Sequence, residues 1–296
     1  MVLPSAVVGG LVVVGGGALA AVSWGSDSGS LSRQVGVAEA AVSESYWTPE
    51  RMEGATPADP KVPGAAAPNA TSRTALRSAT VFHGVPAIGA LFFKNGSGDH
   101  YCTASVIDSS KRNLLITAAH CIHGGKGKGY VSNVAFVPKY DAGKRPYGIW
   151  TAKLLAVKWG WTHYSDPDLD FGFVAVNPRG GKKIADVVGN NRLAINKGFG
   201  RTVNVAGYPA GKEHPIYCRT ITKKRSKYQV RFDCGGFTGG TSGSPWMLWY
   251  NSKTKTGYTN GVIGGYQRGG NVSYISYSPY FDKDVWNLRD FADKAA

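Results

Sequence analysis

Three short stretches carry residues whose types could do chemistry together. The first runs Gly235-Gly236-Phe237-Thr238-Gly239-Gly240-Thr241-Ser242-Gly243-Ser244-Pro245. Its glycines open backbone conformations closed to residues with a Cβ and let N–H groups approach a ligand closely. A serine on such a turn, with N–H groups aimed beside its Oγ, has what acyl transfer needs. The hydroxyl attacks a carbonyl and the donors hold the oxyanion. Alone, the stretch would be read as a glycine–serine loop, and what changes that reading lies upstream. The second is Leu114-Leu115-Ile116-Thr117-Ala118-Ala119-His120-Cys121, a buried strand running into small residues and then a histidine. Imidazole moves its proton near neutral pH, which suits His120 to the general-base role. The third, Asp168-Leu169-Asp170-Phe171-Gly172-Phe173-Val174, sets a carboxylate at the lip of an apolar strand. Asp170 could accept the second imidazole N–H and so fix its tautomer, with Asp168 as the alternative partner.

Positioning three such distant groups needs a sizeable scaffold. The chain has 296 residues and 43% hydrophobic content, enough for one large domain or two small, tightly joined ones. Forty glycines, many Val, Tyr and Trp, and few long helical patterns indicate an all-β chain. Strands are expected at Ala87–Phe93, His100–Ile107, Asn113–Thr117, Tyr130–Pro138, Lys153–Trp159 and Phe171–Asn177. Further strands are expected at Thr202–Gly207, Ser226–Phe232, Trp246–Tyr250 and Thr259–Tyr266. Short runs between Gly/Asn/Pro turns argue for β-barrels rather than βαβ units. One helix is expected near the C-terminus, capped by Asp282, with Val285, Leu288 and Ala292 facing the β domain.

Residues 1–22 are nearly all apolar or glycine, and Ala18-Leu19-Ala20 offers a cleavage point. This reads as a secretory signal without the usual basic n-region; retention as a membrane anchor is the alternative. Residues 23–80 are rich in Ala, Ser, Gly, Thr and Pro and lack the periodic apolar residues that build a core. They read as a pro-segment or linker, with a processing boundary near Arg73 or Arg77. One helix start stands out within them, with Thr48 as cap, Pro49 at the first position and Glu50 in the first turn. Residues 81–296 are the expected main domain.

The formal charge is +15, with basic residues gathered in Lys139–Lys158, Arg179–Arg201 and Lys212–Arg231. This suits a solvated basic surface able to meet an anionic cell surface. No nucleic-acid motif accompanies it, and no nucleic acid is expected as partner. Four cysteines, Cys102, Cys121, Cys218 and Cys234, form two neighbouring pairs without a CxxC, which suggests two disulfides in an exported chain. His123 follows His120 by three residues, but no third ligand is suitably placed, so no metal is expected. His83, His100, His163 and His214 sit in no motif and default to surface or turn roles.

Thr117-Ala118-Ala119-His120-Cys121, Asp170-Phe171-Gly172-Phe173-Val174 and Gly240-Thr241-Ser242-Gly243-Ser244-Pro245, in that order, resemble the signatures of chymotrypsin-fold (trypsin-like) serine endopeptidases. The Gly-x-Ser-Gly-Ser-Pro form is similar to the secreted bacterial glutamyl-endopeptidase-like, or V8-like, branch. Trp47-Thr48-Pro49-Glu50-Arg51-Met52 resembles pro-segments of actinobacterial members. The resemblance implies two six-stranded antiparallel β-barrels with the active site in the cleft between them. It implies Ser242 as nucleophile, His120 as general base, Asp170 as orienting carboxylate, and the N–H groups of Gly240 and Ser242 as oxyanion hole. It implies a monomer acting on a peptide or protein, without cofactor.

Departures from the family pattern are informative. Thr241 stands where animal trypsins carry the aspartate that pairs with a new N-terminus, so activation by pro-segment removal is expected to proceed without that ion pair. The serine that helps hold the catalytic carboxylate is replaced near Ile263-Gly264-Gly265. Gly236 replaces the aspartate of a Lys/Arg-specific pocket, and Val262–Gly265 lacks the histidine of glutamate-specific relatives. The pocket is therefore expected around Gly236, Phe237, Ile263, Gly264 and Gly265, with an apolar or broad preference. Arg268 is a nearby base that could receive an acidic side chain. The rival readings are a catalytically inactive binding module on the same scaffold, holding cell wall or another polyanion, and an esterase with little amide turnover.

Overall fold

A computed structural model describes residues 29–59, 77–96, 98–211 and 214–296. The expected signal segment, residues 1–22, and Arg73 lie outside the described residues. In chain order the strands are β1 (Ser30–Gln34), β2 (Thr56–Pro57), β3 (Thr80–Val81), β4 (Ile88–Asn95), β5 (Gly98–Ile107), β6 (Leu114–Thr117), β7 (Ser132–Pro138), β8 (Trp150–Lys158) and β9 (Gly172–Val176). They continue with β10 (Arg192–Leu193), β11 (Thr202–Gly207), β12 (Ile216–Ile221), β13 (Lys223–Lys224), β14 (Gln229–Asp233), β15 (Pro245–Asn251), β16 (Thr256–Val262) and β17 (Ile275–Pro279). Helices are α1 (Val37–Tyr46), α2 (Pro49–Gly54), α3 (Trp159–Tyr164), α4 (Ile184–Val188) and α5 (Lys283–Ala295).

Strands β4 to β9 close on themselves. The order β8-β7-β4-β5-β6-β9 returns to β8 through the β8–β9 pairing, giving one six-stranded antiparallel barrel. Closure leaves no unpaired edge in this half. Its core is filled by Leu91, Phe93, Val106, Leu115, Phe136, Leu155, Val157 and Val174, with the Cys102–Cys121 bridge among them.

The second half corrects the expectation of two barrels. It consists of a six-stranded sheet, β10-β16-β15-β11-β12-β3, and a separate three-stranded sheet, β13-β14-β17. The gap has a local cause. Between β12 and β14 the links are the Cys218–Cys234 bridge and a bond from Thr220 Oγ1 to the Asp233 carbonyl, with no main-chain ladder. Between β16 and β17, the Val262 N–H donates to the Ser278 hydroxyl instead of a strand carbonyl. Side chains, a disulfide and a single main-chain bond, from the Gly264 N–H to the Tyr277 carbonyl at 3.0 Å, thus span what would be the seam of a second barrel. Val203, Val205, Ile216, Phe232, Trp246 and Leu248 still build a common core there.

Helix α5 starts where expected, with Asp282 accepting from the Asp284 N–H at 2.9 Å. It buries Val285, Leu288 and Ala292 against Leu154, Phe171 and Phe281. Each large side chain so buried contributes about 1.5–3 kcal/mol.

Residues 30–59 are not the coreless linker that their composition suggests. Strand β1 pairs antiparallel with β8, from Ser30↔Lys158 to Gln34↔Leu154. Helix α2 has the anticipated Thr48 cap, which accepts from the Arg51 N–H. Trp47 and Met52 are buried with Val85, Ile88, Phe92 and Val137, and the Trp47 indole donates to the Asn133 carbonyl. A few large side chains, rather than a periodic stripe, do the anchoring. His83 and His214 are likewise not idle: each sets its Nδ1 on one oxygen of Asp141, joining three loops.

No described helix is long and apolar enough to cross a membrane.

Candidate active site

The pairing of β6 with β9 places Thr117 opposite Gly172. His120 lies three residues past one strand end and Asp170 two residues before the other, so an antiparallel ladder brings them to the same rim. His120 sits on the single turn Ala119–Cys121, and the Cys102–Cys121 bridge ties that turn to β5. Asp170, fully buried, accepts from the His120 main-chain N–H at 2.9 Å through Oδ1. Its Oδ2 faces His120 Nδ1 at 2.7 Å and accepts from the Gly265 N–H at 2.8 Å. Three contacts on one buried carboxylate hold it still. The Gly265 amide thus shares Oδ2 of this carboxylate with the imidazole. Asp168 is turned elsewhere and accepts from the Gln229 amide at 2.7 Å.

The serine loop approaches the same rim from the second half. Gly243 donates to the Ile263 carbonyl at the β16 end, while the Thr103 N–H donates to the Ser242 carbonyl at 2.8 Å. A Cβ on Gly243 would stand 2.1 Å from the Thr103 oxygen, 2.2 Å from Thr117 Oγ1 and 3.2 Å from the Ala118 nitrogen. Only glycine, here at φ +82°, lets the Ser242 loop sit against the His120 loop this closely. Gly240 is also left-handed, and its carbonyl accepts from Thr103 Oγ1 at 3.1 Å. Among the described residues, neither the Gly240 nor the Ser242 N–H is spent on a main-chain hydrogen bond. Thr103, which also receives the Tyr208 N–H, belongs to none of the three motifs; its place after Cys102 is the one signal the sequence offers for it.

The anticipated pocket residues separate. Gly264 and Gly265 line the Asp170 carboxylate. Phe237 is fully buried, with ring contacts to Phe232, and Ile263 is buried in the same cluster. Gly236, at φ +104°, lies beside Ala79 and Ile216. A cleft of about 650 Å³ lies elsewhere, where Met52, Thr56 and Pro57 lean on Tyr101, Tyr140 and Tyr208, and contains none of His120, Asp170 or Ser242.

A second group at the site, besides Thr103, stands outside every sequence motif. Asp59 Oδ2 stands 2.9 Å from His120 Nε2, and Asp59 Oδ1 stands 3.0 Å from Arg268 Nη1. The approach to Nε2 is off the ring N–H axis, an ion-pair contact rather than a directed hydrogen bond. Burial alone would lower the His120 pKa, but the carboxylates of Asp170 and Asp59 outweigh it and hold the ring well above its ordinary value. For Asp59, burial acts upward, yet His120 and Arg268 hold its carboxyl well below the usual range.

Two sets of potential metal donors converge among the described residues. In Cys102, His120 and Cys121 both sulfurs are spent on each other. The other set is His83, Asp141 and His214, already joined by ion pairs.

Residues 102–251 match the family model described as trypsin-like peptidase domain. A crystal structure of protease Anisep from Arthrobacter nicotinovorans superposes with a TM-score of 0.66 at 30% identity, covering 73% of this chain and 99% of that one. A thermostable serine protease, AL20, from an extremophilic microorganism gives 0.65 at 27%, covering 71% and 98%. A Glu endopeptidase at 16% identity and a TM-score of 0.58, covering 74% of this chain and 97% of that one, shares the fold. An extracellular metalloprotease of Bacillus subtilis is 24% identical over 174 residues, 57% of this chain. The chain spans about half the length of that curated relative, 54%.

Proposed function

Since the chain belongs to the trypsin-like peptidase family, we propose that it is a secreted serine endopeptidase, made as a precursor, that cleaves peptide bonds through an acyl-enzyme on Ser242. The observation that carries this reading is the commitment of His120 Nδ1 to the buried carboxylate of Asp170. With that nitrogen occupied, a neutral ring presents Nε2 as its basic atom. Ser242 Oγ attacks the scissile carbonyl and passes its proton to Nε2. The N–H groups of Gly240 and Ser242 hold the oxyanion, and the imidazolium returns its proton to the leaving amine. Water then repeats the sequence on the ester. Asp170 orients the ring and stabilises its charged form without taking the proton.

The V8-like branch, the monomeric state, an apolar or broad P1 preference and contact of the basic face with an anionic cell surface belong to the same proposal. The name of the Bacillus subtilis relative speaks of a metal-dependent peptidase. Acyl transfer to Ser242 draws on the hydroxyl, the imidazole, the carboxylate and the two oxyanion-hole N–H groups. Covalent labelling of the processed protein by a fluorophosphonate tests the reading, with adduct on Ser242 and its loss in S242A as the expected result. Absence of adduct would favour the polyanion-binding module. A mixed peptide library digested and read by mass spectrometry would then give the P1 residue.

A further inference from the structure

The chain carries its own occupant of the active-site rim. Strand β2 adds to β5 in parallel register, Thr56↔His100 and Pro57↔Tyr101, and the Ala58 N–H donates to the Tyr101 carbonyl at 3.2 Å. This main-chain pairing delivers residue 59 to the site at a fixed distance. The fit leaves no slack against the serine loop: a Cβ on Gly239 would stand 2.5 Å from the Asp59 carbonyl oxygen and 2.8 Å from Pro57 Cβ. The carboxylate that arrives is 22% exposed and bridges His120 Nε2 and Arg268. Upstream, Trp47 and Met52 are seated in the domain core, the Arg51 guanidinium pairs with Asp99 at 3.0 Å, and β1 pairs with β8.

We propose that residues 56–59 are a latch that keeps the precursor inactive by setting the Asp59 carboxylate on the nitrogen of His120 that the serine proton must reach. The inference rests on the hydrolase reading and adds its regulation. Its chemistry is simple. A general base must be neutral to accept a proton, and an anion against Nε2 stabilises the ring in its protonated form. The same contact occupies the side of the ring that Ser242 needs. Arg268 keeps the carboxylate charged and aimed.

The anchoring has a second consequence. Residues 77–81 stay with the domain through the pairing of Ser78 with Gly235 and of β3 with β12. A cut between 60 and 76 therefore separates two parts still held by β1, Trp47 and Met52. Nicking alone leaves His120 covered, and activity follows departure of residues 30–59.

The test uses the full-length chain as wild type, D59N and R268A, beside the naturally processed protein. Two readouts are taken at pH 8: the charge of the His120 ring by nitrogen NMR, and the rate constant of fluorophosphonate labelling. The expected result is an imidazolium in wild type and a neutral ring in D59N, with labelling faster by about 10²-fold or more in D59N and intermediate in R268A. A ring charge that ignores D59N overturns the latch. So does slow labelling of full-length D59N while the processed protein labels fast. If the processed protein also fails to label while the ring charge follows Asp59, the Asp59–His120 contact stands but the hydrolase reading falls, and the latch as its regulation falls with it.

Discussion

The Gly265 N–H donates to Asp170 Oδ2 at 2.8 Å, so a main-chain amide completes the carboxylate's hydrogen bonding. An amide at the end of β16 cannot rotate away, and it asks for close approach of backbone to carboxylate. Gly264 supplies the room. A Cβ there would stand 2.8 Å from the Asp170 carbonyl oxygen, 3.2 Å from its Oδ2 and 3.3 Å from Ala118 Cβ. G264A should therefore displace the carboxylate and the His120 turn together. A misplacement on the order of 1 Å costs about 10²-fold in rate. The expected outcome is a kcat lower by about that factor with KM little changed, read by steady-state kinetics on the processed protein.

Replacing Asp170 itself tests its orienting role. An asparagine fills the same volume, but its amide nitrogen would face the ring where an acceptor is needed. The imidazole would then be held in the wrong tautomer with Nε2 protonated. D170N should lose about 10⁴ in kcat while binding a substrate-like peptide normally. An unaltered kcat would remove Asp170 from the mechanism and leave Asp168 to be tried.

The rim of the barrel was legible in the sequence because its parts are local. Each of β4 to β9 is a short apolar run ending at a turn residue, and the Thr117–His120 and Asp170–Gly172 stretches lie on neighbouring strand ends. The second half was not, since closure of a sheet depends on which strand edges meet. The ladder that would join β12 to β14 is replaced by a disulfide and one threonine hydroxyl, and composition does not encode that choice. Strand β12 escapes a sequence reading because Arg219 and Thr220 break the apolar pattern. Asp59 is invisible for another reason: a single aspartate in an Ala/Pro-rich stretch has no periodicity, and its meaning comes only from β2 pairing with β5.

The bridge between Cys102 and Cys121 closes a loop across a sequence separation of 19 and holds the turn that bears His120. Its removal should act on stability and on activity by separate routes. Loss of loop closure alone corresponds to about 3 kcal/mol. The variant with both cysteines changed to serine should unfold at correspondingly lower denaturant. It should also lose kcat under conditions where it remains folded, because the imidazole's base is no longer tied to β5. A stability loss with full kcat would show that β6 and Asp170 position His120 without the bridge.

His123 makes the pH dependence of folding testable apart from the chemistry. Its ring is 5% exposed, stands edge-on to Tyr130 at 4.7 Å, and accepts the Gly125 N–H on Nδ1 at 3.1 Å. Burial, with a smaller contribution from the charge of His163, lowers its pKa to about 4. In the unfolded chain a histidine titrates near about 6.5. Below that value the unfolded state takes up a proton that the folded state refuses, so stability falls as pH drops from about 6.5 and levels off near about 4. Above pH 7 both states are neutral and this contribution is constant. Urea titrations of wild type and H123Q at pH 7.5, 6 and 5 should therefore show a steeper loss in wild type. Glutamine can still accept the Gly125 N–H, so the two chains should be closest in stability at pH 5. Parallel slopes across that range would mean that the folded chain protonates His123 as readily as the unfolded one.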